Sequence, residues 1–385
     1  MNDLENIEEL LSSPFRGRGG LSFIIAGGGT GGHIFPAIAI ANALCRIAPQ
    51  TQILFVGANG KMEMEKVPQA GYSIKGLDIA GFNRSSLLKN IGLPFKLVKS
   101  FFQVAKIIKD FKPDAVIGVG GYSSFPVLKY AQSKGIPTFI HESNSFAGKS
   151  NIFLGKNASA IFTASGNMDK FFPVEKIIVT GNPVRQIIAQ SNVSKEEALK
   201  HFRLSNNKKV VLSIGGSLGA KSINEAIDKD LELFRQNDLQ LIWQTGKPYK
   251  AAAVERTKGN DLVFVNDFIT QMEYAYAAAD IVISRSGAMA IAELCVVKKP
   301  VLFVPYPFAA EDHQTANAKA LVNKGAAEMI TDENALQMLV PSVIALVKDS
   351  GRQQELSTNI GSLAVANADV KIAAEILRKL KISGN

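Results

Sequence analysis

The chain is poor in the residues that tie small or metal-dependent proteins together. Among its 385 residues are two cysteines, Cys45 and Cys295, one tryptophan and four histidines. Two thiols so far apart read as separate core residues rather than a disulfide, which fits a reducing compartment. No histidine stands at zinc-ligand spacing, so no zinc motif forms. No apolar run approaches the ~18 residues of a bilayer-spanning helix. The opening "MNDLENIEELL" is acidic where a secretory signal is basic. These absences argue against a disulfide-stapled secreted domain, a zinc module and a membrane-spanning protein, and the expected compartment is the cytoplasm.

What is present suits a soluble globular chain: 46% of residues are apolar and 20% charged. The length is enough for two domains with sizeable cores. The net charge of +9, from 43 Lys and Arg against 34 Asp and Glu, points to nucleic acid, an anionic membrane or an anionic substrate, according to where it sits.

From residue 21, strand-like and helix-like runs alternate. Apolar, β-branched segments stand at 21–26 (LSFIIA), 52–57 (QILFVG), 115–120 (AVIGVG), 137–142 (PTFIHE), 160–165 (AIFTAS) and 176–181 (KIIVTG). A second series stands at 208–216 (KKVVLSIGG), 239–246 (LQLIWQTG), 262–267 (LVFVND), 279–287 (ADIVISRSG) and 300–307 (PVLFVPYP). The alternation implies an α/β protein with parallel sheets and crossover helices. Each series opens on a strand, a glycine-rich turn and a helix. Two Rossmann-like domains are therefore expected, divided near 181–185 or within the polar stretch 190–209. Residues 1–20 read as a mobile arm, and "IAAEILRKLKI" (372–382) as a closing amphipathic helix.

Five of the six residues Gly27–Gly32 are glycine, and His33 follows them. Gly27, Gly29 and Gly32 satisfy G-x-G-x-x-G between a strand and a helix. Such glycines let the backbone approach a pyrophosphate or a sugar, and the helix N-terminus offers free N–H groups. Dinucleotide binding also calls for an acid ~20 positions on. The next strand ends "LFVGANG", with no carboxylate at its tip, so NAD is not favoured. At the first turn of a helix, His33 would have its charged form opposed, leaving a neutral imidazole suited to general-base work. The plain alternative is a histidine that caps or packs.

Other loops follow strands and should gather at the same sheet edge. These are 118–126, with Gly120, Gly121 and Tyr122; 141–148, with Glu142 and Asn144; 215–220, with Ser217 at a second helix start; 284–293, with Ser286, Gly287 and Glu293; and 308–318, with Gln314 and Asn317 one turn apart. Any one of them reads equally as an ordinary turn; together they favour a ligand crevice. Gly215, Ser217 and Gly219 match the hydrolase nucleophile elbow, but the only later histidine is His313, expected in a polar loop. "DKD" (228–230) resembles a metal-binding D-x-D but lies in an amphipathic helical pattern, a solvated face.

Residues 82–112 carry seven Lys and Arg and one acid, Asp110, with Leu and Phe interleaved. "FFQVAKII" should pack on a sheet. The remainder reads as a solvated basic face or as a surface that lies on anionic lipid. No recognised nucleic-acid module is present, so nucleic acid is not expected.

In order, "GGTGGHIFPAIAIA", "GVGGYSSFP", "HESNSFAG", "GNPVR", "GGSLGA", "SRSGAMAIAEL" and "EDHQTANA" resemble the MurG family of peptidoglycan N-acetylglucosaminyltransferases over about residues 21–380. The resemblance implies a GT-B fold, two Rossmann-like domains with parallel sheets facing a central cleft. The expected divisions are an arm 1–20, an acceptor- and membrane-side domain 21–183, a UDP-GlcNAc-side domain 184–358, and a segment 359–385 whose helix returns to the first domain. It implies inverting transfer of GlcNAc from UDP-GlcNAc to the 4-hydroxyl of undecaprenyl-pyrophosphoryl-MurNAc-pentapeptide, with no cofactor and no metal.

By the same resemblance, Thr30, Gly31, Gly32, Asn144, Arg185, Ser217, Ile269, Ala288, Met289, Ala290, Ile291, Ala292, Glu293 and Gln314 map onto the UDP-GlcNAc site. Glu293 would accept hydrogen bonds from the ribose, Ile269 would meet uracil through its backbone, and Gln314 would hold the sugar hydroxyls. His33 is the candidate base. Gly28, Gly29, Gly121, Tyr122 and Glu142 are acceptor-side candidates. The family's helix after the last strand often carries paired glutamines; here the first is His313. The expected partners are UDP-GlcNAc, the undecaprenyl-linked acceptor, the anionic cytoplasmic face of the inner membrane through residues 82–112, and other cell-wall synthesis proteins. The rival readings are another GT-B enzyme (a lipid sugar transferase or a UDP-GlcNAc 2-epimerase) and a binding-only subunit that recruits a transferase.

Overall fold

The computed structural model describes residues 20–81, 92–216, 218–309 and 312–383. The expected arm up to residue 19, the first part of the basic stretch (82–91) and Ser217 lie outside the described residues. The chain forms two compact units. One runs to Val184 and resumes at Asn367; the other is Arg185–Ala366.

The first unit holds seven strands: β1 (Ser22–Ala26), β2 (Gln52–Ala58), β3 (Ser73–Leu77), β4 (Ala115–Gly118), β5 (Thr138–Glu142), β6 (Ala160–Thr163) and β7 (Ile177–Val179). Their order is 3-2-1-4-5-6-7, and every pairing is parallel. Helices cover both faces, which is why the central strands read as unbroken apolar runs. Along β1 the period of two sends Phe23 and Ile25 into one core, with Ile34, Ile40 and Leu44 of helix Gly31–Ile47. Ile24 and Ala26 enter the opposite core, with Val104, Ile108 and Leu128. Each such side chain, fully buried, contributes roughly 1.5–3 kcal/mol.

The second unit holds β8 (Lys209–Ile214), β9 (Leu239–Gln244), β10 (Val263–Asn266), β11 (Ile281–Ser284), β12 (Val301–Phe303) and β13 (Glu328–Met329). Their order is 10-9-8-11-12-13, again all parallel. The sequence reading missed β3 and β13. The first is an edge strand whose "SIKGL" has only two apolar side chains, and the second is two residues long.

Both sheets reverse their strand order once, between β1 and β4 and between β8 and β11. Ligands of open α/β sheets bind outside the carboxyl ends of strands at such a point. The loops that leave those four strands are 27–30, 119–123, 215–220 and 285–287, the same glycine-rich segments singled out above.

The expected return from residue 359 begins later. Helix Ser350–Ser362 stays with the second unit, where its Leu356 packs with Ile281 and Leu346. Helix Ala368–Ser383 belongs to the first unit: Ile372, Ala373, Ile376 and Leu377 join the core beside helix Gly31–Ile47, and Arg46 pairs with Asp369 at 3.3 Å.

Candidate active site

In the first unit the glycine loop is fastened residue by residue. Gly27 N–H donates to Val56 O at 3.2 Å, Gly28 N–H to Gly120 O at 3.3 Å, and Gly29 N–H to the Glu63 carboxylate at 2.8 Å. Thr30 is the extended N-cap residue, and its carbonyl accepts from the N–H groups of His33 (3.1 Å) and Ile34 (3.2 Å). The first-turn N–H groups of Gly31 and Gly32 have no acceptor within the helix and lie at its positive end. They suit an oxygen of a phosphate or a sugar.

His33 is the third residue of that helix, and its Nδ1 lies 3.0 Å from Gly28 O. A carbonyl oxygen only accepts, so in the neutral ring Nδ1 carries the hydrogen and Nε2 keeps the lone pair. Gly120, at φ +92°, comes close to Nε2: a methyl group there would stand 2.8 Å away. Gly121, at φ +89°, packs so that a methyl would come 2.4 Å from Gly28 O. These two glycines let the β4 loop close on the β1 loop, with Gly120 beside the imidazole. Tyr122 is half exposed and lies over Gly81.

Glu142, expected on the acceptor side, is turned into its own loop. Its carboxylate accepts from Asn144 N–H (3.1 Å), Asn144 Nδ2 (3.3 Å), Gly148 N–H (3.1 Å) and Asn151 Nδ2 (2.8 Å). It is a buried brace that shapes segment 142–151, and Asn144 is held by it. The sequence showed the acid at a strand end but not the four donors that consume it.

Beside it, His141 is buried and electrostatically coupled to His33. Burial pulls its pKa from 6.5 down to about 4, and His33 adds to that against opposing bonds to Gly181 and Asn182. His141 is therefore neutral at pH 7. Between those two values the unfolded chain binds a proton that the folded chain refuses. Stability should fall as pH drops through that window, by on the order of 2 kcal/mol from pH 7 to pH 5. Urea unfolding at the two pH values measures this. His141→Asn should lose that part of the slope; an equal slope in both proteins would remove His141 as its source.

The main residue missed from the sequence is Glu63. It lies in "KMEMEK", which reads as a solvated helical turn, yet it is 1% exposed. Its two oxygens accept from Ala58 N–H at 3.0 Å and Gly29 N–H at 2.8 Å. A carboxylate does reach the tip of β2, contrary to the expectation, but the backbone consumes it and none is left for a ribose.

In the second unit Glu293 is the centre of a buried group. Arg185 donates from Nε to Oε1 (2.9 Å) and from Nη2 to Oε2 (3.1 Å), and Tyr276 Oη donates to Oε2 (3.0 Å). Burial works against the Arg185 charge, but the Glu293 carboxylate outweighs it and holds the pKa above its ordinary value. Burial, and then Glu293, push the Tyr276 hydroxyl well above its usual range, so it stays a donor. Arg185, at the start of the unit, and Glu293, on helix Ala288–Val297, are thus brought together from distant positions. Tyr276 had no sequence signal.

The other described residues of the second unit expected to hold the donor follow strands β10, β11 and β12. Ile269 N–H, expected to read uracil, donates to Gln244 Oε1 at 3.3 Å, while Gln244 Nε2 donates to Gly216 O at 2.8 Å. Gln244 at the end of β9 therefore ties the loop of Ile269 to the glycine loop. Within 288–293, Met289 and Glu293 are buried, so Met289 has only its backbone to offer. Ser286, proposed at a helix start, is fully buried and donates to Gln314 O at 2.8 Å. The Gln314 side chain accepts from Tyr306 N–H at 3.0 Å. His313 opens helix His313–Val322 rather than lying in a loop. In "DKD", Asp228 takes the Tyr249 hydroxyl (2.7 Å) and Arg256 Nε (3.0 Å), a brace between helices.

Residues 23–163 match the N-terminal domain of glycosyltransferase family 28, and residues 210–374 match its C-terminal domain. The UDP-N-acetylglucosamine--N-acetylmuramyl-(pentapeptide) pyrophosphoryl-undecaprenol N-acetylglucosamine transferase of Phocaeicola vulgatus is 51% identical over 361 residues, 93% of this chain and 96% of its own. The protein of the same description from Parabacteroides distasonis is 51% identical over 357 residues, 92% of this chain and 97% of its own. The crystal structure of Acinetobacter baumannii MurG matches with a TM-score of 0.72 at 28% identity, covering 93% of this chain and 99% of that one. With two parallel-sheet Rossmann-like units and relatives at half identity over nearly their whole length, the chain belongs to the MurG family of peptidoglycan N-acetylglucosaminyltransferases.

Proposed function

We propose that this protein transfers GlcNAc from UDP-GlcNAc to the 4-hydroxyl of undecaprenyl-pyrophosphoryl-MurNAc-pentapeptide, with inversion at the anomeric carbon. The observation that carries the reading is the His33 imidazole at the first sheet's switch point, with Nδ1 on a carbonyl and Nε2 beside a glycine. An inverting transfer is one in-line displacement through an oxocarbenium-like state. Nε2 accepts the proton of the acceptor hydroxyl as its oxygen attacks the anomeric carbon and the bond to UDP breaks. The first-turn amides of helix Ala288–Val297 suit the negative charge that develops on the departing pyrophosphate. Arg185, Ile269, Glu293 and Gln314 of the second unit hold the donor nucleotide and sugar; Thr30, Gly31, Gly32 and Asn144 of the first unit serve the sugar-phosphate.

The direct test is incubation with UDP-GlcNAc labelled in the sugar and a short-chain lipid-linked muramoyl pentapeptide, with EDTA present. A labelled lipid-linked disaccharide is expected. Epimerised sugar without disaccharide would favour the epimerase instead.

The lipid acceptor gives the basic stretch a role. Helix Leu93–Phe111 buries Val104 and Ile108 on the sheet but exposes Phe95 (78%), Val98 and Phe102 (75%). These are spaced i, i+3 and i+7 on one face, with Lys96 and Lys99 beside them. Among the described residues no helix is long and apolar enough to cross a membrane. An apolar stripe flanked by lysines suits the cytoplasmic face of the inner membrane, where phenylalanines enter the interface and lysines meet the headgroups. Lys89 and the rest of 82–91 lie outside the described residues. Phe95→Ser with Phe102→Ser and Lys96→Glu should lower binding to phosphatidylglycerol vesicles by roughly tenfold or more. Unchanged cosedimentation would return this face to plain solvent.

A further inference from the structure

The peptide unit between Gly28 and Gly29 is held from both ends. Its N–H, on Gly29, donates to Glu63 Oε2 at 2.8 Å; its C=O, on Gly28, lies 3.0 Å from His33 Nδ1. The second oxygen of Glu63 accepts from Ala58 N–H at 3.0 Å, which fixes the carboxylate to the end of β2. The chain clears space for this group. A methyl at Gly28 would lie 2.3 Å from the carboxylate, and one at Gly57 would lie 2.5 Å from Glu63 Cγ.

We propose that Glu63 is a positioning residue for His33 and acts through that peptide. Glycine on both sides leaves the 28–29 plane unusually free to turn over. Turned over, it would present an N–H to Nδ1, place the ring hydrogen on Nε2 and abolish the base. A buried carboxylate accepts and never donates, so it locks the N–H inward and the carbonyl toward the imidazole. Hydrogen bonds aligned through one peptide also polarise each other. The Glu63 charge therefore stabilises the imidazolium that forms when Nε2 takes the acceptor proton. The arrangement is a carboxylate–histidine pair with one peptide bond interposed. It rests on the reading of His33 as the base.

Two measurements on the full-length protein test it. In spectra of 15N-histidine-labelled wild-type protein, assigned by the loss of signal in His33→Ala, neutral His33 should carry its proton on Nδ1. A proton on Nε2 would overturn the inference without any Glu63 variant. In Glu63→Gln, kcat should fall on the order of tenfold while the KM for UDP-GlcNAc stays within about twofold. The acid limb of kcat/KM should move to lower pH, because losing a nearby negative charge makes the imidazolium harder to form. A brace without an electrostatic role would leave the limb in place and move kcat and KM together, and that result overturns the proposal. The two readings separate cleanly. If His33→Ala keeps wild-type turnover, the base reading fails; if His33→Ala is inactive but Glu63→Gln keeps both turnover and acid limb, only the Glu63 inference fails.

Discussion

His33→Ala should lose turnover by roughly 10²- to 10⁴-fold, the usual contribution of a positioned general base, while binding UDP as the parent does. The asymmetry follows from where the residue stands. Its Nδ1 is committed to Gly28 O, so the ring's other nitrogen is the group that can act. The helix amides that suit a phosphate belong to the backbone, and alanine, a strong helix former, leaves the helix start intact. Single-turnover assays with saturating donor, alongside a UDP titration, separate the two effects. If UDP affinity fell while bound donor still turned over at the parent rate, the residue would be a binding group and not the base.

Glu293→Ala should change two quantities at once. The first is the donor KM, expected to rise about 10- to 100-fold, as for a lost hydrogen bond to a charged group. The second is stability, expected to fall by about 3 kcal/mol, because the Arg185 guanidinium and the Tyr276 hydroxyl lose their shared acceptor. The same geometry makes a finer point. A carboxylate offers about four acceptor positions, and three are occupied here. A ribose diol needs two, so one donor must leave, and Arg185 is more exposed than the buried Tyr276. Comparing UDP with 2′-deoxy-UDP checks the assignment. The parent protein should discriminate and Glu293→Ala should not. Discrimination that survives the substitution would place the ribose elsewhere.

The order of elements was legible because parallel strands buried on both faces are written as apolar runs, and the turns between them as glycine. "FIIAGGGTGGH" and "IGGSLGA" announced the two switch points without any knowledge of partners. What stayed hidden were the braces. Glu63, Glu142, Tyr276 and Gln244 do their work by accepting from or donating to groups brought near by the fold, and nothing in the local sequence marks those partners. Glu63 looks like one charge among several in an amphipathic turn. Glu142 is visible as an acid at a strand end, but the donors that its own loop supplies are not. A sequence displays which loops approach a ligand more readily than which side chains hold those loops in shape.

The packing of helix Ala368–Ser383 against helix Gly31–Ile47 also sets an order of assembly. Residues Arg185–Ala366 are contiguous and can close as soon as they leave the ribosome, whereas the unit that carries His33 needs a piece from each end of the chain. The first half to be synthesised is thus the last to be completed. Until the final helix arrives, Ile40, Leu44 and their neighbours lack part of their cover, and the helix that presents the imidazole lacks its backing. A chain cut short before residue 367 would keep the glycine loops of both units but lack the helix that backs the one presenting the imidazole.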